Sequence, residues 1–108
     1  METKINEQLG ALSMEMDEIY AKQNKLIKSE DMITSIFHQK RRLLSELNET
    51  WQTGRMNAQI QDVDMKLKQN QQAIFHEFEK ETNFMKNEKY RLEEKELELL
   101  SDRRRLTE

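Results

Sequence analysis

The sequence predicts an all-α fold, an antiparallel two-helix hairpin with coiled-coil-like packing. The 108 residues contain no proline, the residue that most strongly interrupts helices. Apolar residues recur at alternating spacings of four and three in both halves, as they do along the seam of a coiled coil. The only tryptophan, Trp51, and one of the two glycines, Gly54, lie at the middle of the chain. A turn at this point divides the chain into two helices of equal length.

The first helix is expected over about residues 3–50. Steps of four and three from Ile5 to Trp51 meet fourteen positions, and eleven of them are apolar. The polar exceptions are Gln23, Glu30 and Lys40. These long side chains either reach past the seam to solvent or determine the register and the partner of the helix.

The turn is expected over about residues 51–56. Gly54 can adopt the positive φ that ends a helix, and Thr53 or Asn57 could cap the helix that follows. Trp51 is the last residue of the first seam. It either covers the open end of the hairpin or forms part of a docking tip.

The second helix is expected over about residues 57–105. Its seam begins with Met56, Ile60, Val63, Leu67, Asn70 and Ile74. It then shifts by one residue, which changes the local supercoil, and continues as Phe78, Met85, Leu92, Leu99 and Leu106.

Further apolar residues lie beside the two seams and widen the apolar band, as expected of helices with more than one neighbour. This width indicates either a second interaction face or a broader core. The residues chosen as the candidate partner face are Tyr20, Ile27, Ile36, Phe75, Phe84 and Leu97.

The charge pattern favours a hairpin over a single rod. If the chain folds about residue 53, basic Lys40, Arg41 and Arg42 oppose acidic Asp62 and Asp64. Similar matches along the chain select the antiparallel register. An antiparallel homodimer of hairpins or a domain swap would satisfy the same pattern.

The composition offers no catalytic chemistry, so we expect no enzyme, catalytic residue, metal or cofactor. Cysteine is absent, and the two histidines, His38 and His76, have no cluster of further metal ligands around them. The net charge of −3 argues against nucleic acid as a partner. No segment is apolar enough for membrane insertion, and the N-terminus lacks a signal peptide. We therefore expect a cytoplasmic protein, with co-secretion without a cleaved signal as an alternative.

A hairpin of two equal helices with Trp51 and Gly54 at its turn resembles the Trp-x-Gly proteins of Gram-positive type VII secretion. The spacing here, Trp51-x-x-Gly54, is one residue longer. Within that class the chain looks closest to the small α-helical proteins associated with LXG-domain toxins. The class also uses a C-terminal Tyr-x-x-x-Asp/Glu export signal, which Tyr90 and Glu94 match; residues four apart share one helix face.

This resemblance implies a non-enzymatic targeting factor or chaperone that binds the helical N-terminal domain of an LXG toxin and promotes its export. A second small helical accessory protein is a further partner that the resemblance suggests. The alternative is a structural coiled-coil homodimer or a scaffold subunit of another secretion or flagellar apparatus.

Overall fold

The computed structural model describes residues 1–107, and their secondary structure consists of two α-helices, α1 (Glu2–Thr50) and α2 (Gly54–Thr107). The helices pack against each other as an all-α hairpin, which confirms the predicted fold class. Both helices pass through two compact units. The turn unit comprises Ile27–Lys80, and the terminal unit comprises Met1–Leu26 together with the chain from Glu81 onward.

The turn between the helices is only three residues long, from Trp51 to Thr53, because α2 begins at Gly54. Gly54 has the expected positive φ, 85°. The side chain of Asn57 does not cap α2 as expected. Its Nδ2 atom donates hydrogen bonds to the main-chain oxygen of Trp51 at 2.9 Å and to Oδ1 of Asn48 at 3.0 Å. Asn57 thus closes the end of α1, where carbonyl oxygens lack partners within the helix.

The α1 seam follows the predicted spacing. Leu12 and Phe37 are buried, and the remaining apolar seam residues from Ile5 to Ile33 are partly covered. The polar residues Gln23 and Glu30 are partly covered as well. Toward the turn the seam opens, and only Leu44 is still partly covered.

The α2 seam differs from the prediction. Ile60, Leu67 and Leu92 are buried as expected, but five expected members of the seam are exposed: Met56, Val63, Asn70, Ile74 and Leu106. The covered positions between the buried ones are polar instead: Asn57, Asp64 and Gln71. These residues preserve the alternation of three and four around Ile60 and Leu67, so spacing decides which side faces α1 even where the residue is polar.

The predicted phase shift exists, but it lies slightly earlier, between Gln71 and Phe75. Consecutive steps of four lead from Leu67 through Gln71 to Phe75. Phe75 is therefore a seam residue and not an exposed partner residue, which corrects the prediction. Its ring centroid lies 6.0 Å from that of Phe37 and 6.2 Å from that of Phe78, with tilted planes.

The long side chains that meet across the helices lie further along α2 than a fold about residue 53 predicts. Arg41 donates a hydrogen bond to Gln71, where residue 65 was expected. The ammonium of Lys89 lies 4.9 Å from the ring centroid of Tyr20, where residue 86 was expected. Helical side chains tilt toward the N-terminus of their own helix. In an antiparallel pair, two side chains that meet therefore start from later positions on both helices.

This offset also changes the predicted charge pairing. Within residues 1–107 the observed ion pairs join residues three or four apart on α2: Asp62–Lys66, Asp64–Lys68, Glu77–Lys80 and Glu88–Arg91. Asp62 and Asp64 thus pair along their own helix and not with the basic residues of α1. Such pairs support helix formation.

Candidate interaction surface

The described residues bury little apolar surface. Five apolar residues are buried: Leu12, Phe37, Ile60, Leu67 and Leu92. In each unit, exposed large apolar side chains outnumber the buried ones among the described residues.

In the turn unit, α1 carries an exposed apolar stripe formed by Ile36, Leu43 and Leu47. Their spacings of seven and four place them on one side of the helix. Trp51 follows one turn after Leu47 and is 46% exposed. Its main-chain N–H donates a 2.8 Å hydrogen bond to the oxygen of Leu47, which extends the helical hydrogen-bond pattern to the main chain of Trp51.

A second exposed stripe lies on α2 of the same unit, formed by Met56, Val63 and Ile74. Spacings of seven and eleven residues correspond to about two and three helical turns. These three side chains therefore share one side of α2. The residues that follow them, Asn57, Asp64 and Phe75, occupy the seam, which leaves the apolar stripe beside the core.

The two stripes lie on the same side of the turn unit. An open groove of about 330 Å³ runs between the helices there. Its lining residues are Lys40, Leu43, Leu44, Val63, Lys66, Leu67 and Asn70. We call the set Ile36, Leu43, Leu47, Met56, Val63 and Ile74 the apolar face.

The opposite side of the turn unit is polar. A groove of about 360 Å³ is lined there largely by polar side chains: Arg41, Ser45, Asn48, Gln61, Asp64 and Lys68. Nε2 of Gln61 donates a 3.1 Å hydrogen bond to Oδ1 of Asn48, which also accepts from Asn57. The second groove therefore has a more polar lining than the first, and several of its polar side chains already have partners: Arg41, Asn48, Gln61, Asp64 and Lys68.

The charged residues that line the groove beside the apolar face are basic. Lys40 and Lys66 line the groove from opposite helices. Nζ of Lys66 lies 3.0 Å from a carboxylate oxygen of Asp62. Lys40 forms no ion pair or hydrogen bond with any of residues 1–107. One uncompensated positive charge therefore borders the groove.

The residues predicted as a partner face do not form one surface. In the turn unit, Ile36 belongs to the apolar face. Ile27 precedes it by nine residues, two and a half turns, and so lies on the opposite side of α1. Phe75 is partly covered within the core.

In the terminal unit, the other three predicted partner residues are exposed but separated. The ring of Tyr20 lies beneath the ammonium of Lys89. Phe84 and Leu97 are more than 60% exposed and are thirteen residues apart on α2, which places them on widely different sides of the helix.

The candidate export signal lies on an exposed part of α2 in the terminal unit. Tyr90 and Glu94 are both exposed and lie one helical turn apart. The ammonium of Lys86 is 5.9 Å from the centroid of the Tyr90 ring. Beside them, a 2.9 Å hydrogen bond to Glu88 raises the pKa of Arg91. Tyr90 and Glu94 are presented together, and their role in export stays a prediction.

Sequence reasoning overlooked the α2 half of the apolar face. Met56, Val63 and Ile74 were assigned to the core because they are apolar and follow the seam spacing for a short distance. The available signal was the polar series Asn57, Asp64 and Gln71, which keeps the same spacing through Ile60 and Leu67.

Residues 1–107 contain no group of three His, Cys, Asp or Glu side chains placed to hold a metal ion. Neither helix, over the same residues, has an apolar stretch that could cross a membrane.

One protein-family model, described as a protein of unknown function (DUF3958), matches residues 1–106. The chain belongs to this family. No curated protein and no solved structure matches it.

Proposed function

We propose that the chain is a non-enzymatic accessory protein that packs the apolar face of its turn unit against a helical domain of another protein. The observation that carries the proposal is the one-sidedness of the turn unit. Its exposed apolar stripes on α1 and α2 flank one groove, and the opposite side is polar. Exposed apolar surface of this kind is typical of protein-binding sites.

The partner class follows from the resemblance to Trp-x-Gly hairpins. We propose that the partner is the helical N-terminal domain of an LXG toxin, and that the chain acts as a targeting factor or chaperone for its export. The apolar face would cover apolar helix surface of the toxin before export. Fully burying one aliphatic side chain contributes about 1.5–3 kcal/mol, so several such residues can offset the entropic cost of association.

Co-purification of the full chain with the helical N-terminal domain of an LXG toxin tests this proposal. Val63→Glu places a charge in the centre of the apolar face, and we expect at least a tenfold loss of affinity. Met65→Glu is the matched control. Met65 is also exposed, but two residues along a helix it points about 200° away.

Unimpaired binding by Val63→Glu, or equal loss in both variants, contradicts the role of the apolar face. Failure of the unmodified chain to bind the toxin domain contradicts the partner class. Circular dichroism of both variants shows whether the helices are retained.

A structural homodimer or scaffold subunit is the second candidate function. The many exposed apolar side chains favour it, since a second copy would also cover apolar surface. Light scattering distinguishes the two candidates. A stable dimer of the isolated chain that Val63→Glu dissociates supports the structural role.

A further inference from the structure

We infer that the occupant of the apolar face is an amphipathic helix with carboxylates along one edge, one of which pairs with Lys40. The inference rests on the proposed binding role of this face and specifies the chemistry of the partner. The supporting observations are the groove between α1 and α2 and the positive charge of Lys40 at its border.

The groove suits a helix because its two walls are themselves helices. Leu43 and Leu44 form one wall, and Val63 and Leu67 form the other. Leu44 and Leu67 are the better covered pair, and Leu43 and Val63 stand at the rims. An apolar stripe with residues three and four apart would fill this space, as in other helix-in-groove complexes.

The charge at the groove selects an acidic edge. Lys66 already pairs with Asp62, whereas Lys40 has no partner among residues 1–107. A helix that covers Leu43 brings its polar edge beside Lys40, one turn earlier on α1. A carboxylate there would pair with the ammonium, and a basic residue would be repelled.

The same charges disfavour a second copy of this chain as the occupant. Two copies related by a twofold axis across the groove would bring two Lys40 and two Lys66 side chains together. Asp62 already pairs with Lys66, and the two Lys40 charges have no observed partner among residues 1–107 that would offset them. Like charges at an interface oppose association.

Two synthetic amphipathic helices provide the test. Both have about 25 residues, enough for a stable helix, and identical leucine stripes. One carries glutamates along one edge, and the other carries lysines at the same positions. Anisotropy of the labelled peptides measures their affinity for the full chain. The emission of Trp51, the only tryptophan, reports whether binding occurs near the apolar face.

We expect the acidic peptide to bind about tenfold more tightly, since several attractive contacts become repulsive in the lysine peptide. Lys40→Glu should remove or reverse this preference. Arg42→Glu is the matched control with the same change of charge, two residues along α1 and about 200° around it. It should leave the preference unchanged.

The outcomes separate the two proposals. Equal affinities, preference for the basic peptide, no binding of either peptide, or a dimer that blocks the groove would overturn the acidic-edged partner. If Val63→Glu still abolishes toxin binding in that case, the proposed function stands. If the acidic peptide is preferred but the toxin domain does not bind, the proposal of an acidic-edged helix as the occupant is supported. The proposal of an LXG toxin as the partner is then contradicted.

Discussion

The turn unit and the terminal unit place their aromatic residues differently. In the turn unit, the ring of Phe75 packs against those of Phe37 and Phe78, and Ile60 and Leu67 are buried further toward the turn. In the terminal unit, the buried residues are the aliphatic Leu12 and Leu92. The aromatic rings of Tyr20 and Tyr90 contact lysine ammonium groups at the surface instead.

The exposed apolar residues differ in the same way. Those of the turn unit largely follow two stripes beside one groove. Those of the terminal unit are distributed over several sides of the helices: Met14, Tyr20, Phe84, Tyr90, Leu97 and Leu106. The number of exposed apolar residues is therefore a poor guide to a docking surface. Their alignment on neighbouring helices is the better guide, and it points to the turn unit.

Removal of one core side chain from each unit should have the largest effect. Phe37→Ala removes the aromatic centre of the turn unit, and Leu92→Ala removes the best-buried side chain of the terminal unit. Each should lower the free energy of unfolding by about 2–4 kcal/mol. Hydrogen exchange should show lost protection mainly over residues 27–80 for Phe37→Ala, and over residues 1–26 and 81–107 for Leu92→Ala.

The exposed Leu97→Ala variant is the control, because the same kind of truncation there should change exchange little in either unit. Uniform loss of protection along the whole chain in both core variants would show that the two units unfold together. The two units would then differ in their packing but not in their free energy of unfolding.

Replacement of each of the two glycines by alanine should change the free energy of unfolding in opposite directions. Gly54 has φ 85°, and an alanine there would contact no atom within 4 Å, so the cost is that of the left-handed backbone alone. We expect Gly54→Ala to destabilise by about 1–2 kcal/mol. Gly10 lies within α1 with open space around it, so Gly10→Ala should stabilise by about 0.5–1 kcal/mol. Thermal unfolding measures both changes, and equal signs would contradict this assignment.

The sequence was sufficient to predict two helices, the turn at Trp51 and Gly54, and the seam of α1 as far as Phe37. Those features depend on local propensity and on an uninterrupted run of apolar spacing. The α2 seam was harder, because it alternates buried residues such as Ile60 with polar ones such as Asp64. A rule that selects apolar residues then takes Val63 for core, although it belongs to the apolar face. Hydropathy cannot distinguish these positions; the contact with α1 does.

Replacement of the two asparagines that bridge the helices should cause the smallest change in the free energy of unfolding. Asn57, partly covered in the turn unit, donates to both Trp51 and Asn48, whereas exposed Asn6 of the terminal unit accepts one 3.1 Å hydrogen bond from Arg103. We expect Asn57→Ala to cost about 1 kcal/mol, since it leaves the oxygen at the end of α1 without this donor. Asn6→Ala should cost less than about 0.5 kcal/mol, because water replaces the lost partner.

Urea unfolding of both variants measures this difference, and Gln59→Ala, exposed on α2, provides the baseline for an amide with no observed side-chain hydrogen bond. The Asn57 side chain donates a hydrogen bond to the main chain of Trp51 in the three-residue turn. Loss of this bond should therefore also increase hydrogen exchange near Trp51. If Asn6→Ala costs as much as Asn57→Ala, the polar side of the turn unit has no special part in closing the hairpin. The turn would then depend on Gly54 and on the seam alone.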